Sequence, residues 1–106
     1  MKQKLPMQDS KSLPKILAIL RQLQDEIRQK YRAEIVGVFG SYARGEAHQH
    51  SDVDILVRFL EGASLFDLVG LAEFLEENLG IKVDIVSERA IRSELQERIL
   101  SEVVRI

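Results

Sequence analysis

Ser51-Asp52-Val53-Asp54-Ile55-Leu56-Val57-Arg58-Phe59 is the stretch that decides the fold. Val53–Phe59 reads as a strand. A side-chain period of two puts Val53, Ile55 and Val57 on one face, toward a core. The same period puts Asp52 and Asp54 together on the opposite face. Downstream, Glu61-Gly62 turns the chain and Ser64 caps a helix, with Asp67 three residues on in a variant capping box. Leu65, Leu68, Val69, Ala72, Leu75 and Leu79 form the expected apolar stripe, and Glu73, Glu76 and Glu77 its wet face. Gly80 stands where a helix-ending glycine belongs. Ile81–Val86 then reads as another strand. A strand, a helix and a strand in succession favour a parallel pair joined by a right-handed crossover.

Upstream, Ser12 and Pro14 mark a helix start, and Leu13, Ile16, Leu17, Leu20, Leu23, Ile27 and Tyr31 recur at helical spacing. This predicts a helix over about 13–30. Glu34–Phe39 reads as a buried strand stopped by Gly40-Ser41. Its short return into Val53–Phe59 predicts an antiparallel neighbour. Arg92–Leu100 is a last helix, with Ile91, Leu95 and Ile99 at helical spacing, and Val103–Ile106 adds a short strand. The expected fold is α+β, a small mixed sheet with packed helices. Residues 1–11 are expected to be a flexible arm with little to bury, and 12–106 one domain.

Composition narrows the function. The chain has 106 residues, 15 Lys+Arg against 17 Asp+Glu, and a formal charge of −2. Binding to nucleic acid by backbone electrostatics calls for a basic excess, so direct nucleic-acid binding by this chain alone is disfavoured. The absence of cysteine excludes disulfides, thiolate nucleophiles, zinc fingers and Fe–S clusters. No apolar run approaches the roughly 18–20 residues needed to span a bilayer, and Met1–Ser12 lacks the apolar stretch of a signal peptide. A cytoplasmic protein without a membrane association is expected.

The chemistry lies in three carboxylates and a turn. If the two later strands are parallel neighbours, Asp84 comes level with Asp52 and Asp54. Unpaired, the three would repel and raise one another's pKa. A divalent cation with a taste for hard oxygen, Mg²⁺ or Mn²⁺, removes the conflict. Two such ions about 3.5–4 Å apart can clamp an in-line phosphoryl displacement. Gly40 lets backbone approach a ligand closely, and Ser41 adds a hydroxyl donor. Ser-Tyr-Ala-Arg can open a short helical turn whose N–H groups face an anion. Arg44 has two readings, a fork on a phosphate or an ion pair with Glu46 or an aspartate. Ser51 is a candidate to orient the aspartates. His48 and His50, in a polar loop, read as solvated side chains rather than ligands. Tyr42 can stack on a base, meet an acceptor or simply pack.

Gly40-Ser41-Tyr42-Ala43-Arg44-Gly45, five residues, then Ser51-Asp52-Val53-Asp54, with a third Asp in Lys82-Val83-Asp84-Ile85-Val86, resembles the nucleotidyltransferase signature of the DNA polymerase beta-like superfamily. From Leu13 to Ile106 the chain resembles the minimal, MNT-type nucleotidyltransferases paired with HEPN-domain proteins. The resemblance implies a nucleotidyltransferase fold. It implies that Gly40 and Ser41 bind the phosphates of ATP, joined by Arg44 and Ser51, and that Asp52, Asp54 and Asp84 hold Mg²⁺. Asp84 would also accept the proton of the attacking hydroxyl. It further implies an antitoxin that transfers AMP to a tyrosine of a HEPN-family ribonuclease toxin, in a hetero-oligomer with that toxin. Two other readings are weighed against this one. One is a stoichiometric antitoxin that neutralises by binding alone, which the intact triad argues against. The other is a small-molecule, aminoglycoside-type adenylyltransferase, which the lack of an acceptor domain argues against.

Overall fold

The computed structural model describes residues 12–106, so the expected arm over 1–11 lies outside the described residues. The first helix, α1 (Leu13–Tyr31), starts where Ser12 accepts a hydrogen bond from the Lys15 backbone N–H and Pro14 occupies the first turn. Ile16, Leu17, Leu20 and Ile27 on its inner stripe are buried. Arg32 ends it in a left-handed conformation, φ 51°, and donates from its guanidinium to the Gly62 carbonyl at 3.0 Å. The chain then turns into β1 (Ala33–Phe39) and a five-residue helix, α2 (Gly40–Arg44). After a polar loop come β2 (Val53–Phe59), α3 (Leu65–Leu79), β3 (Val83–Ser87), a 3-10 turn over Glu88–Ala90, α4 (Ser93–Glu102) and β4 (Val104–Arg105).

The four strands form one mixed sheet in the order β3-β2-β1-β4. β2 and β3 are parallel, while β1 is antiparallel to both β2 and β4. This is the α+β arrangement expected from the sequence. A bulge between Ile35 and Gly37 shifts the β1–β2 register by one residue. α1 and α3 cover one face, where Leu20, Ile27, Val38, Ile55, Val57, Leu71 and Leu75 are fully buried. Each such aliphatic side chain stabilises the fold by about 1.5–3 kcal/mol relative to exposure. Leu56, on the other face of β2, is also fully buried. The 3-10 turn touches β2 and α4 touches α2 as the chain crosses from β3 at one edge to β4 at the other. No helix of the described residues is long and apolar enough to cross a membrane.

Three expectations need correction. The buried line of α3 is Leu71, Leu75 and Leu79, while Leu65 and Val69 are 71% and 51% exposed. α3 carries apolar residues on most of its circumference, so periodicity alone could not choose its inner side. β3 begins at Val83 rather than Ile81, because Gly80 ends α3 in a left-handed turn (φ 69°) and Ile81-Lys82 carry the chain into the sheet. α4 runs from Ser93 to Glu102, two residues beyond the expected end, and buries none of its residues, with Leu95 42% exposed.

Candidate active site

Two strand ends and one tight turn bring the acidic residues together. Parallel pairing sets Asp54 opposite Asp84 and Val53 opposite Val83. Antiparallel pairing sets Phe39 opposite Asp54, so Gly40 follows immediately beside that carboxylate. Gly40 has φ +75°, and a Cβ there would overlap the Asp54 carboxylate. The glycine is therefore demanded twice, by backbone conformation and by the neighbour it must clear. Asp52 lies one residue before β2, exposed, on the loop rather than in the strand. Its backbone neighbour Val53 donates to the Lys82 carbonyl at 3.0 Å, which ties the start of β2 to the start of β3.

Charge accumulates here. Burial first, then the Asp84 charge, then the Asp52 charge push the Asp54 carboxyl above the usual carboxylate range, and Arg44 only partly offsets them. Burial, and second the Asp52 charge, also push up the phenol of Tyr42, which is 7% exposed. The carboxylates repel rather than close into a cage. Among the described residues, no three His, Asp or Glu side chains stand close enough to hold an ion as they lie. The donor set still suits a hard divalent cation: its atoms are carboxylate oxygens, and the charges of Asp84 and Asp52 add to burial in raising the Asp54 carboxyl.

The remaining sequence candidates separate. Ser41 follows Gly40 in the first turn of α2, and its carbonyl accepts from the Glu46 N–H at 2.8 Å. Arg44 donates Nε to Glu46 at 2.9 Å and a terminal nitrogen to Glu102 at 3.3 Å, so its ion-pair reading is the one seen. Ser51 does not reach the aspartates: its hydroxyl accepts from the His48 backbone N–H at 2.9 Å and its own N–H donates to the His48 carbonyl, closing the loop. His48 accepts at Nδ1 from the His50 backbone N–H, and both rings are exposed. Tyr42 packs in the core cluster. Two neighbours escaped the sequence reading. Lys82 lines, with His50, Ser51, Asp52 and Gly80, a concavity of about 280 Å³ beside the carboxylates. It stands two residues before Asp84, so strand periodicity could have placed it there. Glu102, 58 residues from Arg44, carries no such signal.

A family model described as a nucleotidyltransferase domain matches residues 20–106, which takes in every site residue named above. The chain belongs to the nucleotidyltransferase domain family. As a nucleotidyltransferase it is 43% identical over 95 residues to the protein adenylyltransferase MntA of Thermococcus cleftensis, a match covering 90% of this chain and 96% of that protein. A solved structure described as a minimal nucleotidyltransferase superposes with a TM-score of 0.70 at 43% identity, over 85% of this chain and 95% of the other. A toxin–antitoxin crystal structure with AMP-PNP gives a TM-score of 0.62 at 24% identity, over 76% of this chain and 67% of the other, a likeness of fold. The enzyme is thus a transferase of nucleotidyl groups, on the fold that its sequence announced.

Proposed function

We propose that this nucleotidyltransferase moves AMP from ATP to a tyrosine hydroxyl of a HEPN-family toxin protein and thereby silences it. The observation that carries the reading is the cross-strand register of Asp54 and Asp84 beside the Gly40 turn. The relative named a protein adenylyltransferase, matched over nearly its whole length, supports a protein as acceptor.

Gly40 and Ser41 would admit the triphosphate to the turn, and Lys82, with Arg44 once released from Glu46 and Glu102, would supply positive charge near the carboxylates. Ser51 would act at one remove, by fixing the loop that carries Asp52. Asp52, Asp54 and Asp84 would hold Mg²⁺ or Mn²⁺. When bound, such a cation would neutralise the carboxylates and offset charge on the phosphates. The acceptor oxygen attacks the α-phosphorus, the new P–O bond forms, and the bond to pyrophosphate breaks. Asp84 is exposed on β3, open to an incoming acceptor, and would take the hydroxyl proton.

The test is co-purification with a HEPN-family protein encoded beside this chain, followed by ATP and Mg²⁺ and intact-mass measurement of the partner. Mass is expected to rise in multiples of AMP, on tyrosine, with loss of ribonuclease activity and dependence on the divalent ion. Asp84→Asn is expected to bind the partner yet slow transfer by about 10²–10⁴-fold, as for a lost general base. If Asp84→Asn silences the toxin as well as wild type at limiting amounts, neutralisation is by binding and the catalytic reading fails.

A further inference from the structure

α3 is anchored by Leu71, Leu75 and Leu79 and leaves an opposite stripe bare. Phe66, Val69, Glu73 and Glu77 follow at spacings of three, four and four, and so fall on one line of the helix. All four are exposed, Phe66 at 87%. The two halves of the stripe differ. Its first half is apolar and adjoins a groove of about 310 Å³ lined by Phe59, Ala63, Leu65 and Leu68. Its second half is acidic. Among the described residues no ion pair involves any residue of α3. Nor does the fold account for these carboxylates. The last turn of α3 has no basic residue, and acids at the negative end of a helix are unfavourable. Glu76 has a role, accepting from the Val83 N–H at 3.1 Å, but Glu73 and Glu77 have none in the described chain.

We propose that this stripe is the docking surface for the protein acceptor, and that it takes a partner helix with apolar residues at one end and Lys or Arg at the other. The proposal rests on the reading of a protein acceptor given above and adds where that acceptor is gripped. Charge complementarity sets the occupant. A second copy of α3 is a poor one. Antiparallel two-fold pairing would lay Phe66 on Glu77 and Val69 on Glu73, burying carboxylates against apolar groups. Parallel pairing would set acid on acid. The stripe also runs toward the right end of the sheet. α3 begins beyond Phe59, at the end of β2 remote from the site, and finishes at Leu79, just before β3 opens with Val83 and Asp84. Its acidic half therefore lies at the end of the sheet that carries the carboxylates, on the side opposite the Asp54 face, so a partner held there reaches the site around that end; Phe66 to Glu77 spans about 17 Å along the helix axis. A partner held there is gripped at the far end and steered at the near one.

The experiment compares wild type with Phe66→Ser/Val69→Ser and with Glu73→Lys/Glu77→Lys, using the HEPN-family protein as acceptor. These side chains are exposed, so Tm and the Tm rise caused by ATP with Mg²⁺ are expected to stay at wild-type values. KM for the protein acceptor is expected to rise about tenfold or more in each variant, with kcat at saturation retained, as for loss of an anchoring aromatic or of steering charge. Wild-type affinity is expected to fall with added salt, and the lysine variant to lose that dependence. Unchanged KM in both variants overturns the docking surface and leaves the proposed reaction intact. If wild type transfers nothing to the acceptor, the reaction is refuted, and calorimetric binding of the same protein decides the surface. Binding by wild type and not by the variants upholds it; equal binding, or none, overturns it. Self-association of wild type that Phe66→Ser/Val69→Ser abolishes also overturns it, because the occupant is then a second copy.

Discussion

Replacing Gly40 by alanine should separate two costs that glycine avoids. The first is conformational. At φ +75° an L-residue pays about 1–2 kcal/mol. In a chain near 100 residues each kcal/mol lowers Tm by about 4 °C, so the backbone term alone predicts a fall of about 4–8 °C. The second is local: the new methyl would occupy the place of the Asp54 carboxylate, whose Cγ lies 2.9 Å from the built Cβ. The carboxylate must swing away, and a reacting group misplaced by about 1 Å can cost about 10²-fold in rate. Gly80→Ala is the control. Gly80 has a similar φ of +69° and nothing within 4 Å of an added Cβ, so it pays the backbone cost alone. Thermal melts of the two variants should therefore agree within a few degrees. AMP transfer, followed by mass or by radiolabel from ATP, should fall about a hundredfold in Gly40→Ala and stay within a few-fold of wild type in Gly80→Ala. Equal activity in the two variants would show that the turn does not need to clear Asp54, and the geometric argument for Gly40 would be wrong.

Asp54→Asn should stabilise the protein free of ligand while abolishing transfer. In the folded chain the Asp54 carboxyl holds its proton more tightly than it does unfolded. Its charge therefore costs stability as pH rises above the ordinary value of about 3.9 and through the raised folded value. Melts should show a higher Tm for the variant at pH 7, with the gain vanishing as pH falls below about 3.9, where both states of the wild type are protonated; a lower Tm at pH 7 would contradict the cost of burying this charge beside Asp84 and Asp52. Gly37→Ala should loosen β4. A methyl there meets the Val104 carbonyl and stands 2.9 Å from the Arg105 Cα, both backbone, so the expected cost is the overpacking value of about 1–3 kcal/mol. Hydrogen exchange at the Ile106 N–H, bonded to the Val36 carbonyl at 3.3 Å, should accelerate in step.

The legible parts of this chain are those fixed by neighbours along it. The start of α3 is one: the Asp67 carboxylate accepts from the Ser64 N–H at 2.8 Å, the reciprocal contact that their three-residue spacing announces. β2 begins and ends where alternation from Val53 to Phe59 places it. The Asp54–Asp84 register followed from one long-range inference, that a strand, a helix and a strand pair in parallel. Rotation of α3 about its own axis was not legible, because Leu65, Phe66, Leu68 and Val69 offer apolar surface on several sides at once. The partners of Arg44 were half legible. Glu46 is two residues away, whereas Glu102 arrives only because α4 crosses to the side of α2. The side-chain rotamers of the three aspartates have no sequence signal at all, so convergence of strands could be read and closure of a cage could not.

The parallel pairing of β2 with β3 has a consequence for how the protein comes to be active. Asp54 and Asp84 are 30 positions apart, and the whole of α3 must fold between them before the two strands can zip. β1 and β2 can meet earlier, across a shorter connection. Loop-closure entropy delays contacts of long sequence separation, so parallel strands tend to pair late. The two carboxylates therefore come together among the last events of folding, after the hairpin of β1 and β2 has formed. A nascent or partly unfolded chain can carry the Gly40 turn and still lack the complete acidic site. Competence to transfer a nucleotide is then a report on the finished molecule, and refolding followed by activity should lag refolding followed by helix content.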